Sequence, residues 1–300
     1  MKATPKTRKA DLLLSILITT SMLLMITVIS LFIAIPVSAE ESRLNLRLPG
    51  KLYDVGTHRM HLNCQGRYYP TVVIDSGLGG FSLEWARLQK QLSQFNRVCT
   101  YDRAGYGWSD PSPYPRTTEN IAKELYQLLK VAEIDGPYLM VGHSFGGYTI
   151  RYFASEYPEL VSGLIFVDAS HPEQYLRMPK PEHYKNTVPA GNAVTETRMR
   201  PRLNSNFPQE SRQLAQVLLS TYKARMTQLA ELQNFITSAR QVSEHDHLPD
   251  VPVTVITRAK RVWPKNDFGD DSERVWQELQ NELAGLARQS RHVMAYNSGH

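Results

Sequence analysis

The sequence predicts an α/β fold built on a mostly parallel sheet, on two observations. Short apolar runs alternate with longer amphipathic stretches, and several of the runs stay apolar instead of alternating with polar residues. Strand candidates are Lys51 to Val55, Arg59 to Asn63, Thr71 to Asp75, Arg97 to Tyr101, Tyr138 to Val141, Leu164 to Val167, Val253 to Thr257 and His292 to Tyr296, eight in all. Runs such as Thr-Val-Val-Ile (71 to 74) and Leu-Ile-Phe-Val (164 to 167) are the pattern of strands covered by helices on both faces. Helical spacing appears at Leu83 to Phe95, Thr117 to Glu133, Gly146 to Tyr157 and Ser272 to Arg288, between the strands. The stretch from about 171 to 250 has no good strand. Its Pro172, Pro179, Pro181 and Pro189 precede helical segments from Gln209 to Arg240, so it reads as a helical lid inserted between strands 6 and 7. Leu214, Val217, Leu218, Tyr222, Leu229 and Leu232 recur there at helical spacing, which either packs the lid onto the domain or lines a pocket.

Three hundred residues with 42% hydrophobic content can bury a full core. The net charge of +5 owes much to Lys2, Lys6, Arg8 and Lys9, and no nucleic-acid motif accompanies it, so a nucleic-acid partner is not expected. These basic residues precede 24 residues, Leu12 to Ile35, without a charge or a proline. At 1.5 Å per residue that run is long enough to cross a bilayer core of roughly 30 Å, and basic residues stay on the cytoplasmic side. Pro36 and then Val37-Ser38-Ala39 before Glu40 also fit a signal-peptidase site. Residues 1–39 are therefore a signal anchor or a signal peptide, 40–50 a linker, and 51–300 the main domain. Either reading places that domain outside the cytoplasm, membrane-anchored or secreted.

Gly142-His143-Ser144-Phe145-Gly146-Gly147 lies between a buried strand and a helix. A serine on such a strained corner needs small neighbours on both sides, and it projects its hydroxyl above the sheet beside the amide-rich start of the helix. Ser144 is accordingly the candidate nucleophile. Two further loops accompany it: Asp75-Ser76-Gly77-Leu78-Gly79-Gly80 after strand 3, and Tyr101-Asp102-Arg103-Ala104-Gly105-Tyr106-Gly107-Trp108-Ser109 after strand 4. With these three landmarks the chain resembles the α/β-hydrolase fold family of serine esterases and lipases, from about Lys51 to His300. The resemblance implies the α/β-hydrolase fold with an eight-stranded sheet, and backbone amides of Leu78 and Phe145 as an oxyanion hole. It gives Asp102 and Arg103 a structural role at the pocket rim.

A serine nucleophile needs a base, and the base needs an acceptor that fixes its tautomer. Of nine histidines, His300 follows the last strand in Asn-Ser-Gly-His, which resembles the family's histidine loop. His143 is expected to point away from the site, and His171, His183, His245 and His247 to be solvated or pocket-lining. The first choice of acid is Asp168, which ends strand 6 and follows Ser144 by 24 residues, with Asp267, Asp270 and Asp271 as the alternatives. The sequence ends at His300, where the family continues into a final helix. The resemblance thus implies either a piece of a longer chain or a base on a terminal residue. In the family's sheet order strands 2 and 4 are neighbours, which would bring Cys64 near Cys99; a disulfide and two buried thiols are both open.

The chemistry expected is two-step acyl transfer on a small-molecule ester, with no metal or cofactor. A serine in place of an aspartate disfavours the family's dehalogenase and epoxide-hydrolase reactions. An aminopeptidase of the same fold is the runner-up and would need a lid carboxylate, Glu196, Glu210 or Glu231, for the substrate ammonium. A non-catalytic, membrane-tethered binding protein is the alternative from another class.

Overall fold

The computed structural model describes residues 48–180, 207 and 209–300. The predicted anchor, His183, Glu196 and the prolines at 181 and 189 lie outside them. The strands are β1 (Lys51–Asp54), β2 (Arg59–Gln65), β3 (Thr71–Asp75), β4 (Val98–Tyr101), β5 (Tyr138–His143), β6 (Val161–Val167), β7 (Val253–Arg258) and β8 (Ser290–Ala295). They form one sheet in the order β1-β2-β4-β3-β5-β6-β7-β8. Pairs β1·β2 and β2·β4 are antiparallel, and every other pair is parallel. All five residues of β3 are buried, the apolar Val72, Val73 and Ile74 together with the flanking Thr71 and Asp75.

The helices are α1 (Ala86–Leu92), α2 (Thr118–Val131), α3 (Gly146–Glu156), α4 (Gln174–Arg177), α5 (Gln209–Ser220), α6 (Tyr222–Gln233), α7 (Phe235–Glu244) and α8 (Asp267–Ala284). In α2, Ile121, Leu125, Leu128 and Leu129 fall on one stripe and are buried against the sheet's main core. Helix α8 begins five residues before the apolar spacing predicts. Asn266 supplies the cause: its side chain accepts from the Gly269 N–H at 2.9 Å and caps the helix there. Among the described residues no helix is long and apolar enough to cross a membrane.

Helices α4 to α7 occupy the connection between β6 and β7. The apolar spacing there does not run on as one stripe. Leu218 packs with Phe81, Tyr106 and Phe207, and Leu214 joins them. Thr221 then caps a new helix and resets the phase, so Tyr222 and Leu232 are exposed. The buried residues of α6 are Ala224, Thr227 and Glu231, a face that is small and polar instead of apolar.

Cys64 and Cys99 stand opposite one another in the β2·β4 register and are joined as a disulfide. They are separated by 35 positions, and closing a loop of that size in the unfolded chain is worth roughly 3–4 kcal/mol. Replacing both cysteines by alanine is expected to lower unfolding stability by about 3 kcal/mol, read as a lower denaturant midpoint with an unchanged slope.

Candidate active site

Four loops converge at the carboxyl ends of the parallel strands, after β3, β5, β6 and β8. Ser144 sits between β5 and α3 with φ of 50°, a left-handed conformation that a serine adopts only under constraint. The constraint is visible in its neighbours. A β-carbon on Gly142 would lie 2.6 Å from the Gly146 carbonyl oxygen, and one on Gly146 would lie 2.5 Å from the Asp75 carbonyl oxygen. The corner is then tied by backbone hydrogen bonds: Ser144 N–H donates to Val167 O at 3.2 Å, and Ser144 O accepts from Gly147 at 3.0 Å and Ser170 at 2.9 Å.

His300 reaches this corner from the loop after β8. Its Nε2 is 3.0 Å from Ser144 Oγ, and its Nδ1 is 2.5 Å from Asp168 Oδ2. An ionised carboxylate only accepts, so the Nδ1 proton lies toward Asp168 and Nε2 is left to accept from the serine hydroxyl. Asp168 ends β6 with φ of 41°, and its other oxygen accepts from Trp276 Nε1 at 2.7 Å. Burial opposes the charge on Asp168, but hydrogen bonds from His300 and Trp276 and the nearby Arg258 guanidinium hold its carboxyl below the usual range. The three residues first chosen from sequence are thus brought together. Asp270 pairs instead with Arg261 at 2.5 Å and Asp271 with Arg274 at 3.3 Å, while Asp267 opens α8.

Phe145 follows the serine directly, and Leu78 follows Gly77 in the loop after β3. The loop carrying Leu78 is close, since a β-carbon on Gly77 would be 3.2 Å from Ser144 Cβ. Phe145 precedes the first turn of α3. Among the described residues neither of their backbone N–H groups has a protein acceptor.

A sequence profile of the alpha/beta hydrolase fold family matches residues 70–288. The chain belongs to this family. A protein of Hormonema carpetanum named a probable transporter is 31% identical over 256 residues, 81% of this chain but 35% of its own length, so this chain spans about a third of that relative. An AB hydrolase superfamily protein of Gibberella zeae is 26% identical over 265 residues, 77% of this chain and 80% of the relative. Among solved structures, the enol-lactonase from Burkholderia xenovorans superposes with a TM-score of 0.56 at 18% identity, covering 83% of this chain and 92% of that one. The likeness at that identity is one of fold.

Within this hydrolase frame two side chains depart from expectation. His143 does not turn away: its ring lies 4.9 Å from that of His300. Strand β5 runs on through residue 143, and Gly77 leaves the room, since a β-carbon there would be 2.9 Å from His143 Nδ1. Glu231 is not open to a substrate ammonium, because it is buried and bonded to Arg103 and Tyr106. Sequence reasoning missed Trp276, whose indole is the second hydrogen-bond donor to Asp168. Its place on the apolar stripe of α8, with Val275, Leu279 and Leu283, is a signal for burial, and a buried indole N–H needs an acceptor.

Among the described residues one cluster, His171, Glu173 and Glu282, brings metal-type donor atoms within 4.8 Å of one another. Arg177 already contacts both carboxylates, at 3.2 Å and 2.7 Å. His171 Nδ1 accepts from the Glu173 N–H, which leaves the proton on Nε2, the atom facing Glu282. The cluster is an ion-pair network and not a vacant ligand set.

Burial pushes His143 down to about 4, with the neighbouring His300 adding to it. Burial likewise pushes His171 down to about 4, helped by Arg151. The unfolded chain protonates both at about 6.5, so between pH 6.5 and 4 it binds more protons than the folded one. Stability is expected to rise with pH across that window, and His143→Gln with His171→Gln to flatten the rise in thermal midpoint measured from pH 4 to 7.

Proposed function

We propose that this chain is a serine hydrolase that cleaves carboxylic esters of small molecules through an acyl-enzyme on Ser144. The observation that carries the reading is the continuous relay from Ser144 Oγ to His300 at 3.0 Å and on to Asp168 at 2.5 Å. His300 Nε2 takes the serine proton as Oγ attacks the ester carbonyl. The charge that develops on the carbonyl oxygen is met by the N–H groups of Leu78 and Phe145, the second reinforced by the N-terminus of α3. The resulting imidazolium is stabilised by Asp168 and returns the proton to the leaving alcohol. Water then repeats the sequence on the acyl-enzyme and regenerates the serine. None of these steps calls for a metal or cofactor.

Helices α4 to α7 would serve as the lid over this site. We place the domain outside the cytoplasm, held near a membrane or secreted. That placement is supported by the hydrophobic run with basic residues before it, and by a Cys64–Cys99 disulfide, a bond that persists in oxidising compartments.

A fluorophosphonate probe is expected to label the native chain and not Ser144→Ala; equal labelling of the two would remove the serine from the mechanism. Asp168→Asn is expected to lower kcat by about 10³–10⁴-fold on a p-nitrophenyl ester, because the amide can hold His300 in the wrong tautomer. Asp267→Asn should leave turnover within about twofold, since a surface change away from the relay alters little.

A further inference from the structure

The helix α6 is held to the domain by a charge. Glu231, fully buried, accepts from Arg103 Nε at 2.8 Å and Nη2 at 3.1 Å, and from the Tyr106 hydroxyl at 2.9 Å. The same guanidinium donates to Asp75 at 2.7 Å, to the Ser76 carbonyl at 2.6 Å and to the Gly77 carbonyl at 2.8 Å. Removing two carboxylates and a guanidinium from water is expensive, and an apolar contact of the same volume would often seat a helix as well. The ion network therefore invites a role other than adhesion.

Its geometry supplies one. The Gly77 carbonyl and the Leu78 N–H belong to one planar trans peptide, so they point in opposite directions. A guanidinium fixed on the oxygen, which Gly80 N–H also contacts at 3.0 Å, fixes the aim of the N–H on the other side. A cation at the carbonyl end also polarises the peptide so that its N–H becomes a stronger donor. Arg103 has one planar fork with which to do this, and Glu231 on α6 holds its Nε and Nη2 edge, Nη2 being the same nitrogen that donates to the Gly77 carbonyl. Close seating of α6 on the same loops is evident elsewhere: a β-carbon on Gly105 would lie 1.9 Å from Thr227 Oγ1, and one on Gly79 would lie 2.7 Å from Gln228 Nε2.

We propose that Arg103 is a positioning residue that aims the Leu78 N–H, and that Glu231 makes this aim depend on the seating of α6. Oxyanion stabilisation is then assembled only when the insertion is docked. The catalytic consequence rests on the serine-hydrolase reading above; the coupling itself rests on the hydrogen bonds alone.

The test uses Arg103→Lys, which keeps the charge and loses the fork, and Glu231→Gln, which keeps the shape and loses the charge. Each is checked for an intact fold by its circular dichroism. Two readouts are taken, steady-state kinetics on p-nitrophenyl acetate and the backbone amide spectrum of ¹⁵N-labelled protein. Removing one oxyanion donor outright lowers kcat by about 10²–10³-fold, so mis-aiming it is expected to lower kcat by about 30-fold in Arg103→Lys and about 10-fold in Glu231→Gln. KM should stay within about threefold, the split of an interaction made only in the transition state. The Leu78 amide signal should shift more than that of Phe145 in both variants, an effect that general loosening of the fold would not single out.

A Leu78 signal that keeps its native position in either folded variant overturns the coupling, and so does an unchanged kcat in an active protein. If the native chain shows no Ser144-dependent turnover, the hydrolase reading fails, and the Leu78 signal alone then decides the coupling.

Discussion

The site depends on a backbone conformation that serine does not choose freely. At φ of 50° Ser144 is held in a region that costs about 1–2 kcal/mol for a residue with a β-carbon, and the surroundings hold it there. Glycines at 142 and 146 let the backbones of β5, α3 and the loop after β3 meet, and Ser170 and Gly147 both bond the serine carbonyl. Ser170 belongs to the loop that begins with Asp168. The hydrogen bond that steadies the Ser144 backbone thus also fixes the loop that begins with Asp168, and the two are positioned as a unit.

Charge is buried at several points around this corner. Arg258, itself nearly inaccessible, lies 3.3 Å from Asp168 and 2.7 Å from Glu273, with the rings of Trp263 and Trp276 on its faces at 4.8 Å and 5.7 Å. Arg103 does the corresponding service beneath the loop after β3. Asp102, the residue before it, accepts from the backbone of Ser82 at 2.9 Å and of Trp108 at 3.0 Å and pairs with His61. Each of these ions organises backbone, which side-chain packing alone does less specifically.

Much of this was legible in the sequence, because strands follow from local signals, while their order in the sheet came with the resemblance to the family. Apolar runs such as 71–74 and 164–167 are dictated by burial on both faces, and the elbow glycines by the room a serine corner needs. Ser144 could be named from the glycine-flanked corner between strand and helix, and His300 and Asp168 from places after the last strand and strand 6 that resemble the family's. What could not be read were contacts between distant segments. Glu231 is one carboxylate among many on a helix until the fold brings it 128 positions along the chain to Arg103. The phase change at Thr221 was hidden because the apolar spacing of α5 happens to continue into α6, and His143 was misjudged because the space left by Gly77 is a property of two loops and not of either one.

The indole of Trp276 touches Asp168 through its N–H and meets the His300 ring edge-on at 5.7 Å. An intrinsic chromophore is thereby wired to Asp168 and His300 together. Resolved from the emission of the other three tryptophans, its fluorescence should follow the charge carried by that pair and the arrival of an occupant beside Ser144.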